Sequence, residues 1–464
     1  MAAHVVVVGA GISGLAAAVE LDARGIDITV LETSERAGGP IHTVRDDGYI
    51  IDAGPDSFLS TKPGGIEFAE RLGIAERIID TSPAGGGTFI VHNGKMAPLP
   101  AGITMLVPTQ FRQILGSPLL DLSGKARLLA DYFIPARRGD ADESVADFMR
   151  RRVGRQAFEN LAEPLLSGIF AGDANRLSIL STFPRLRDAE RRHGGLIRAA
   201  LAARRTPSTA TPTARRRTPF VSFDCGLDTL VRAAIDRIGS DRLRLNTEAL
   251  AITHRRRGFA VLTGTNEELE CDGVIVATPA APTSTLLADI APGIAQALGT
   301  IPFVSSATVS MAFDVSTIDV ASGGRGFVAP RVEGFDLTAV TWSSRKFAGR
   351  APEDRLLLRG FVGRAGNESP AFLPDDQVVE LVRRDLAKIT GITAEPEFAR
   401  VFRWHAGMPQ YHVGHNSLVD RIEREASAIP GLALAGAAYR GVGIPDCINY
   451  ATAAASRLAQ QVGG

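Results

Sequence analysis

Three glycines and one acid define the chemistry within reach of this chain. Gly9, Gly11 and Gly14, in the run Gly9-Ala10-Gly11-Ile12-Ser13-Gly14, have the spacing of a phosphate-binding turn. Gly9 would make the tight turn, Gly11 would let the backbone approach a pyrophosphate, and Gly14 would let the next helix pack against the preceding strand. Free amides at the start of that helix, with Ile12 and Ser13 in its first turn, would hold the phosphates, because the peptide dipoles favour negative charge there. Glu32 lies eighteen residues beyond Gly14, where a carboxylate accepts hydrogen bonds from a ribose 2′-hydroxyl. The acid argues for a free ribose and against a 2′-phosphate, and its neighbour Thr33 is counted with it among the candidate cofactor-binding residues. Groups for other chemistries are missing: there is no GxSxG elbow and no obvious Cys-His pair, so nothing points to acyl transfer. His405, His412 and His415 are the only close histidines, and they read as packing or orienting groups before a metal site. No side chain is assigned a catalytic role.

The elements that must position these residues follow from the pattern. Val5-Val6-Val7-Val8 is four β-branched residues in a row, the mark of a parallel strand buried on both faces. A helix from Ile12 to about Arg24, closed by Gly25, and a second strand over Asp27 to Leu31 complete the unit. The next segment, Glu35-Arg36-Ala37-Gly38-Gly39-Pro40-Ile41-His42-Thr43, resembles the RxGG…T stretch of glutathione-reductase-type and amine-oxidase-type flavoproteins. That resemblance implies FAD, with Arg36, Gly38 and Gly39 meeting its phosphates. Gly48 to Phe58 reads as a short strand and a turn, and Gly54-Pro55-Asp56-Ser57 would suit an isoalloxazine ring or serve as an ordinary loop.

At 464 residues, two or three domains are expected. Basic and acidic side chains balance at 51 each, which argues against nucleic acid as a partner. Cys225, Cys271 and Cys447 are far apart and read as reduced thiols. The first strand begins near His4, which leaves no room for a leader peptide, and no apolar run has spanning length, so a cytoplasmic protein is expected. A hairpin at Asn93-Gly94 precedes a helical stretch over 101–205, with helices starting at Ser144, running from Gln156 to Ile169 with a bend at Pro164, and from Arg185 to Arg205. Its apolar face could touch a lipid surface or simply form core. Residues 206–219, which include Arg215-Arg216-Arg217, read as a linker. Strands are expected over Arg242–Ala249, within 271–279, and over Phe303–Phe313, Leu337–Ser343, Leu356–Val362 and Ala399–Trp404, with a helix at Asp376–Ile389. The chain closes with a strand at 432–436 and a helix from about Ala451 to Gln461, joined by a turn containing Val442-Gly443-Ile444. Amides there would stabilise negative charge on a reduced flavin; the same residues also read as a plain Gly-Pro turn.

With these pieces in order, the chain resembles the porphyrinogen oxidases of haem synthesis, the HemY type in particular, through GAGISGLAAA, RAGG, GYIIDAGPDSFL, PLLSGIFAGD, LSILSTFP, RWHAGMPQYHVGH and GVGIPDCI. The resemblance implies an α/β (α+β) fold like that of the amine oxidases and p-hydroxybenzoate hydroxylase: a discontinuous FAD-binding Rossmann-like domain (1–84, 220–285 and 405–464), a mixed-sheet substrate domain (85–100 and 286–404) and a helical insertion (101–205). It implies a six-electron oxidation of a porphyrinogen, with O2 as acceptor and H2O2 as product. It places Lys62 against a propionate, Ile169 and Phe327 as walls, the Ala249 backbone at the adenine and Trp404 near the flavin. The segments look closest to the Gram-positive type, which acts on coproporphyrinogen III, with protoporphyrinogen IX as the alternative. Ala53 departs from relatives that carry a polar residue before GPDSF, which leaves local substrate contacts open. Peripheral membrane contact and contact with a downstream haem-pathway enzyme are further implications. Two rivals stand beside this reading, an amine oxidase of the same fold and a non-catalytic protein that binds FAD or porphyrin.

Overall fold

The computed structural model of the protein describes residues 3–83, 86–100, 103–104, 107–108, 113–114, 116–205, 217–318 and 324–463. Most of the expected linker, 206–216, lies outside these residues, as do Arg215, Arg216 and part of the expected helical stretch before 116. The chain divides into two compact units, Met1–Asp80 with Arg217–Pro302 and Asn416–Gly464, and Thr81–Arg216 with Phe303–His415. Residues 286–302 thus belong to the first unit, and 405–415 and the helical stretch to the second.

The first unit is built on a five-stranded parallel sheet. Strands β1 (His4–Val8), β2 (Asp27–Leu31), β3 (Leu243–Arg244), β4 (Gly273–Val276) and β5 (Leu432–Leu434) take the order β3-β2-β1-β4-β5. Val5 to Val7 are completely buried, as a parallel strand covered on both faces requires. Helix α1 (Ile12–Asp22) is buried from Ser13 to Leu21. It ends two residues before the expected Arg24, and Gly25 turns the chain at φ 74°. Its alanines 16 to 18, and Ala451, Ala454 and Ala455 of the C-terminal helix, are all nearly inaccessible, and such small side chains let the two helices pack closely.

Two expectations fail in this unit. The C-terminal helix runs Ile444–Val462, beginning seven residues before the expected Ala451, with Pro445 in its first turn. Proline suits that position, where its missing N–H costs nothing, so it opens the helix instead of preceding it. The strand expected over Arg242–Ala249 is split: β3 joins the parallel sheet, Asn246 turns at φ 50°, and Ala249–His254 enters a separate antiparallel sheet.

The second unit holds a seven-stranded sheet, in the order Phe398–Pro409, Phe303–Asp314, Arg355–Val362, Leu337–Thr341, Gly326–Val328, Thr88–His92 and Lys95–Pro98. The expected hairpin closes on Asn93 and Gly94, both at positive φ (53° and 72°), as a two-residue turn of matching twist demands. Helix Asp375–Thr390 buries the expected stripe of Val378, Val382, Leu386 and Ile389 against this sheet's core.

The helical stretch differs in detail from expectation. It includes a short antiparallel pairing of Ile103–Thr104 with Val107–Pro108. Ser144 caps Val145–Val153 as expected, its hydroxyl accepting from the Asp147 amide at 3.0 Å. The bend ahead of Pro164 is a π-helical segment, Phe158–Ala162, since proline offers no N–H for the regular ladder. The expected helix from Arg185 to Arg205 is two helices, Pro184–His193 and Leu196–Arg205, separated at Gly194, whose left-handed φ of 79° ends the first. A side chain at Gly195 would lie 2.2 Å from Arg152 Nη2.

That arginine explains the break. Arg152, Asp131 and Glu190 have fully buried side chains, with Arg152 Nε 2.6 Å from Asp131 and Nη1 3.4 Å from Glu190. Arg152 also donates to the carbonyls of Asp131, Ile134, Pro135 and Gly194. Burial alone would raise the Glu190 carboxyl, but Arg151, with the Arg137 amide and Arg187, holds it below the ordinary range. Removing one member of such a network strands the others without a partner. Arg152→Ala should cost about 3–5 kcal/mol in urea unfolding; a loss below about 1 kcal/mol would contradict the assignment. Because the folded Glu190 value is depressed, its contribution is present above the unfolded value, about 4.3, and is lost as pH falls through the folded one. Glu190→Gln should therefore flatten the acid limb of the stability profile below about pH 4.3.

Candidate functional site

The glycine turn in the first unit has three different steric environments. Gly9 sits at φ 100° and donates to the Leu31 carbonyl at 2.7 Å. A methyl at Gly14 would lie 1.8 Å from the Gly9 carbonyl oxygen, so the turn and α1 can meet only without a side chain there. A methyl at Gly11 would meet no protein atom within 4 Å. The surrounding protein atoms do not themselves require glycine at 11; a ligand backed against this stretch of backbone would. Gly11 is also the N-cap of α1, with no side-chain cap and no acid in the first turn, so its positive end is left for an anion.

The second glycine turn lies on the first. The Gly38 amide donates to the Ala10 carbonyl at 2.8 Å, and a methyl on Gly39 (φ 56°) would stand 3.6 Å from Gly11 Cα. Arg36 is half-buried, makes only a long bond to the Ala37 carbonyl (3.4 Å), and has no ion pair among the described residues. Burial lowers its pKa, opposed by Glu32 and Glu35. Glu32 Oε2 accepts from the Ala10 amide at 2.8 Å and Oε1 from the Ser34 amide at 3.0 Å. Those bonds fix the carboxylate and leave lone pairs for a hydroxyl donor. Thr33 is exposed beside it. The Thr247 amide donates to the Glu32 carbonyl at 2.8 Å, two residues before Ala249, which lies at the bulge of its strand. An open glycine, an uncapped helix, an uncommitted guanidinium and an anchored carboxylate fit the pyrophosphate and ribose of a dinucleotide.

Three further expected segments belong to this unit. In Gly54-Pro55-Asp56-Ser57 the Ser57 hydroxyl donates to Asp56 at 2.7 Å and Asp56 is buried, while Ala53 is fully buried and its amide donates to the His42 carbonyl at 2.8 Å. Gly443 is the N-cap of the C-terminal helix, again with no side-chain cap, flanked by half-buried Val442 and buried Ile444. Just before it, Arg440 is held by Asp420 at 2.6 Å and by Glu423 at 2.5 Å, and Glu423 also accepts from the Tyr450 hydroxyl. Lys62, expected to face a propionate, is paired with Asp446 of the same helix's first turn, Nζ to Oδ2 2.5 Å.

In the second unit, Ile169 and Phe327 part company. Ile169 is 51% exposed at the end of helix Glu163–Phe170, one of several large apolar side chains that reach solvent. Phe327 is 1% exposed and packs edge-on against Trp342 at 5.7 Å, so it is core and offers a ligand no face. The turn after Ile169 is tightly held: Ala171 sits at φ 47° and its carbonyl accepts from the Ala365 amide at 2.7 Å. Arg331 ties Glu163 (2.9 Å), Gly172 O and Ala365 O together, and Gln410 donates to the Phe170 carbonyl at 2.9 Å. Sequence reading missed Arg331 and Gln410, since nothing local marks a side chain that supports a turn more than a hundred residues away.

Trp404 lies at a bulge in strand Phe398–Pro409, where the register shifts between the Val304–Met408 and Ser306–Trp404 pairs. Ala406 takes φ 43° there and donates to Ser305 Oγ at 3.0 Å. The Trp404 indole N–H is buried with no partner among the described residues, a donor left for something else. His405 stacks on Phe372 and His415 on Tyr411, at 5.2 and 4.0 Å.

Comparison with known proteins adds an independent line. The family described as flavin containing amine oxidoreductase matches residues 12–459. The chain is 38% identical over 460 residues to the coproporphyrinogen III oxidase of Bacillus subtilis (strain 168), covering 98% of this chain and 97% of the relative. It is 33% identical to the protein of the same name from Staphylococcus aureus (strain NCTC 8325 / PS 47), covering 99% of each. Among solved structures, a protoporphyrinogen oxidase candidate from Exiguobacterium sp. 255-15 superposes with a TM-score of 0.88 at 32% identity, covering 99% of each chain.

The different surroundings of the glycines give a direct test. Gly11, at φ −66°, accepts a methyl without strain or clash. Gly11→Ala should stay within about 0.5 kcal/mol of the parent in stability yet retain flavin at least about tenfold less well (about 1.4 kcal/mol). Gly14→Ala should lose both stability and flavin. A fully flavin-loaded Gly11→Ala protein would contradict the cradle.

Proposed function

Because the chain belongs to the flavin-containing amine oxidoreductase family, we propose that it binds FAD and oxidises coproporphyrinogen III to coproporphyrin III in haem synthesis, with O2 as acceptor and H2O2 as product. It is a flavin-dependent oxidoreductase. FAD, as opposed to a shorter flavin, is favoured by the ribose-directed Glu32 and by Arg36 beside the uncapped α1. The first unit is assigned to the cofactor and the second to the substrate. The observation that carries the porphyrinogen reading is Ile169, a large apolar side chain half in solvent on a turn pinned by Arg331 and Gln410. A flat macrocycle needs such a fixed greasy wall. The choice of coproporphyrinogen over protoporphyrinogen follows the names of the curated relatives.

Bound flavin would supply the hydride acceptor, each of three two-electron rounds reducing one O2 to H2O2. The rest is positioning. Lys62 would meet one carboxylate arm, Ile169 would face the ring, and the Trp404 indole would donate to the cofactor. The substrate's own pyrrole N–H is lost as a proton after hydride removal, so no strong protein base is required. That agrees with a site in which His405 and His415 are stacked packing groups.

An amine oxidase would need aromatic faces around an ammonium. Of the two tryptophans, Trp342 is buried in core, and Tyr49, Tyr411 and Tyr439 are buried as well, which leaves little for such a cage. No described helix is long and apolar enough to cross a membrane. A cytoplasmic protein, with peripheral lipid contact through exposed Leu122 and Phe133 of the helical stretch, is proposed, as is contact with a downstream haem-pathway enzyme.

Given coproporphyrinogen III and protoporphyrinogen IX in parallel, with porphyrin fluorescence and peroxide followed together, the protein should turn over the four-carboxylate compound faster. Faster oxidation of the two-carboxylate compound would overturn the substrate choice, and peroxide from polyamines alone would favour the amine oxidase. Ile169→Ala should raise KM about 5- to 30-fold, the worth of about 1–2 kcal/mol of apolar contact, without changing the melting temperature. An unchanged KM would remove Ile169 from the substrate wall.

A further inference from the structure

We infer that Lys62 has a second duty: it neutralises Asp446 at the opening of the C-terminal helix, so the residue offered to a substrate carboxylate also tunes the charge felt by the flavin. This rests on the flavin-binding reading above and adds Asp446 as a positioning residue.

The pairing is built into the backbone. Helix α2 (Gly64–Arg71) starts two residues after Lys62. A methyl on Gly64 would lie 2.1 Å from Asn449 Oδ1, and one on Gly65 would lie 3.3 Å from Pro445 and 2.7 Å from Phe58. The segment bearing Lys62 is therefore seated on the first turns of the C-terminal helix. Asp446 is fixed from the other side, since a methyl on Gly441 (φ 136°) would fall 2.6 Å from Asp446 Cβ. Between these anchors the ammonium and the carboxylate meet at 2.5 Å.

The charge balance follows. A helix N-terminus carries roughly half a positive charge. A bare Asp446 carboxylate in its first turn would more than cancel it and repel a second anion. With Lys62 in place the pair is neutral and the N-terminal amides at Gly443 keep their pull. Cys447, the next titratable group, is pushed up to about 12 by burial, with Ser13 opposing, and stays an uncharged thiol. The Lys62 side chain is 40% exposed. Its ammonium has three donors, and Asp446 engages one, so a substrate carboxylate can share the same lysine.

The test is a charge cycle on the flavin-loaded protein. The flavin midpoint potential is measured by anaerobic dye-coupled titration, and the binding of coproporphyrin III by quenching of its fluorescence. Lys62→Met should lower the equilibrium constant for flavin reduction about tenfold, about 30 mV for a two-electron couple. Asp446→Asn should raise it by a similar factor. The double variant should return to within about twofold of the parent potential while keeping the porphyrin-binding loss of Lys62→Met, and Lys62→Arg should preserve the parent potential. If Lys62→Met weakens porphyrin binding but leaves the potential unmoved, or if the double variant fails to restore it, the second duty is refuted while the flavin reading survives. A parent protein that takes up no flavin overturns both.

Discussion

The close approach of α1 to the turn at Gly9, in the first unit, is the constraint on which the rest depends. A methyl at Gly14 would stand 1.8 Å from the Gly9 carbonyl, so only glycine lets the helix begin where it does. That placement leaves its N-terminus with no side-chain cap and no acid in the first turn. Every other feature of the cradle is arranged around this open end. Gly38 and Gly39 lie on the turn, Glu32 is fixed by the Ala10 amide, and Arg36 keeps an almost uncommitted guanidinium nearby. An uncapped helix and a half-buried arginine each carry a cost that a bound anion would offset.

Charges elsewhere are handled in the opposite way. In the helical stretch Arg152, Asp131 and Glu190 are completely buried and ion-paired with one another, and Arg152 also donates to backbone carbonyls, which fixes the geometry there. Lys62 lies between these extremes. It is paired with Asp446, yet its side chain is two-fifths exposed, so its charge is committed locally and still open to a visitor. The contrast separates structural arginines from those fit to bind anions, a distinction that the even balance of 51 basic and 51 acidic residues conceals.

Much of this was legible in the sequence where the signal is local. The valine strand, the fingerprint glycines, the Asn93-Gly94 hairpin and the stripe on helix Asp375–Thr390 each follow from periodicity or turn chemistry within a few residues. Failures came where a distant partner decides. Gly194 breaks one expected helix into two because Arg152, some forty residues earlier, occupies the space beside Gly195. The junction at Val442-Gly443-Ile444 read equally as a helix start and as a Gly-Pro turn, and Pro445 lies in the first turn of the last helix. Phe327, which the resemblance placed as a wall and which also read as ordinary core, packs on Trp342 inside the sheet's core. Arg331 and Gln410 were invisible, since their duty is to hold a turn at Ile169 from far along the chain.

The central claim is that this protein holds a flavin in a position to take electrons directly from a porphyrinogen. Its most direct test is anaerobic mixing of the flavin-loaded protein with coproporphyrinogen III, following flavin absorbance and porphyrin fluorescence together. The account predicts that the flavin bleaches as porphyrin appears, with about one third of an equivalent of porphyrinogen sufficing, since each gives up six electrons and each flavin takes two. A flavin that stays oxidised while the porphyrinogen persists would contradict it.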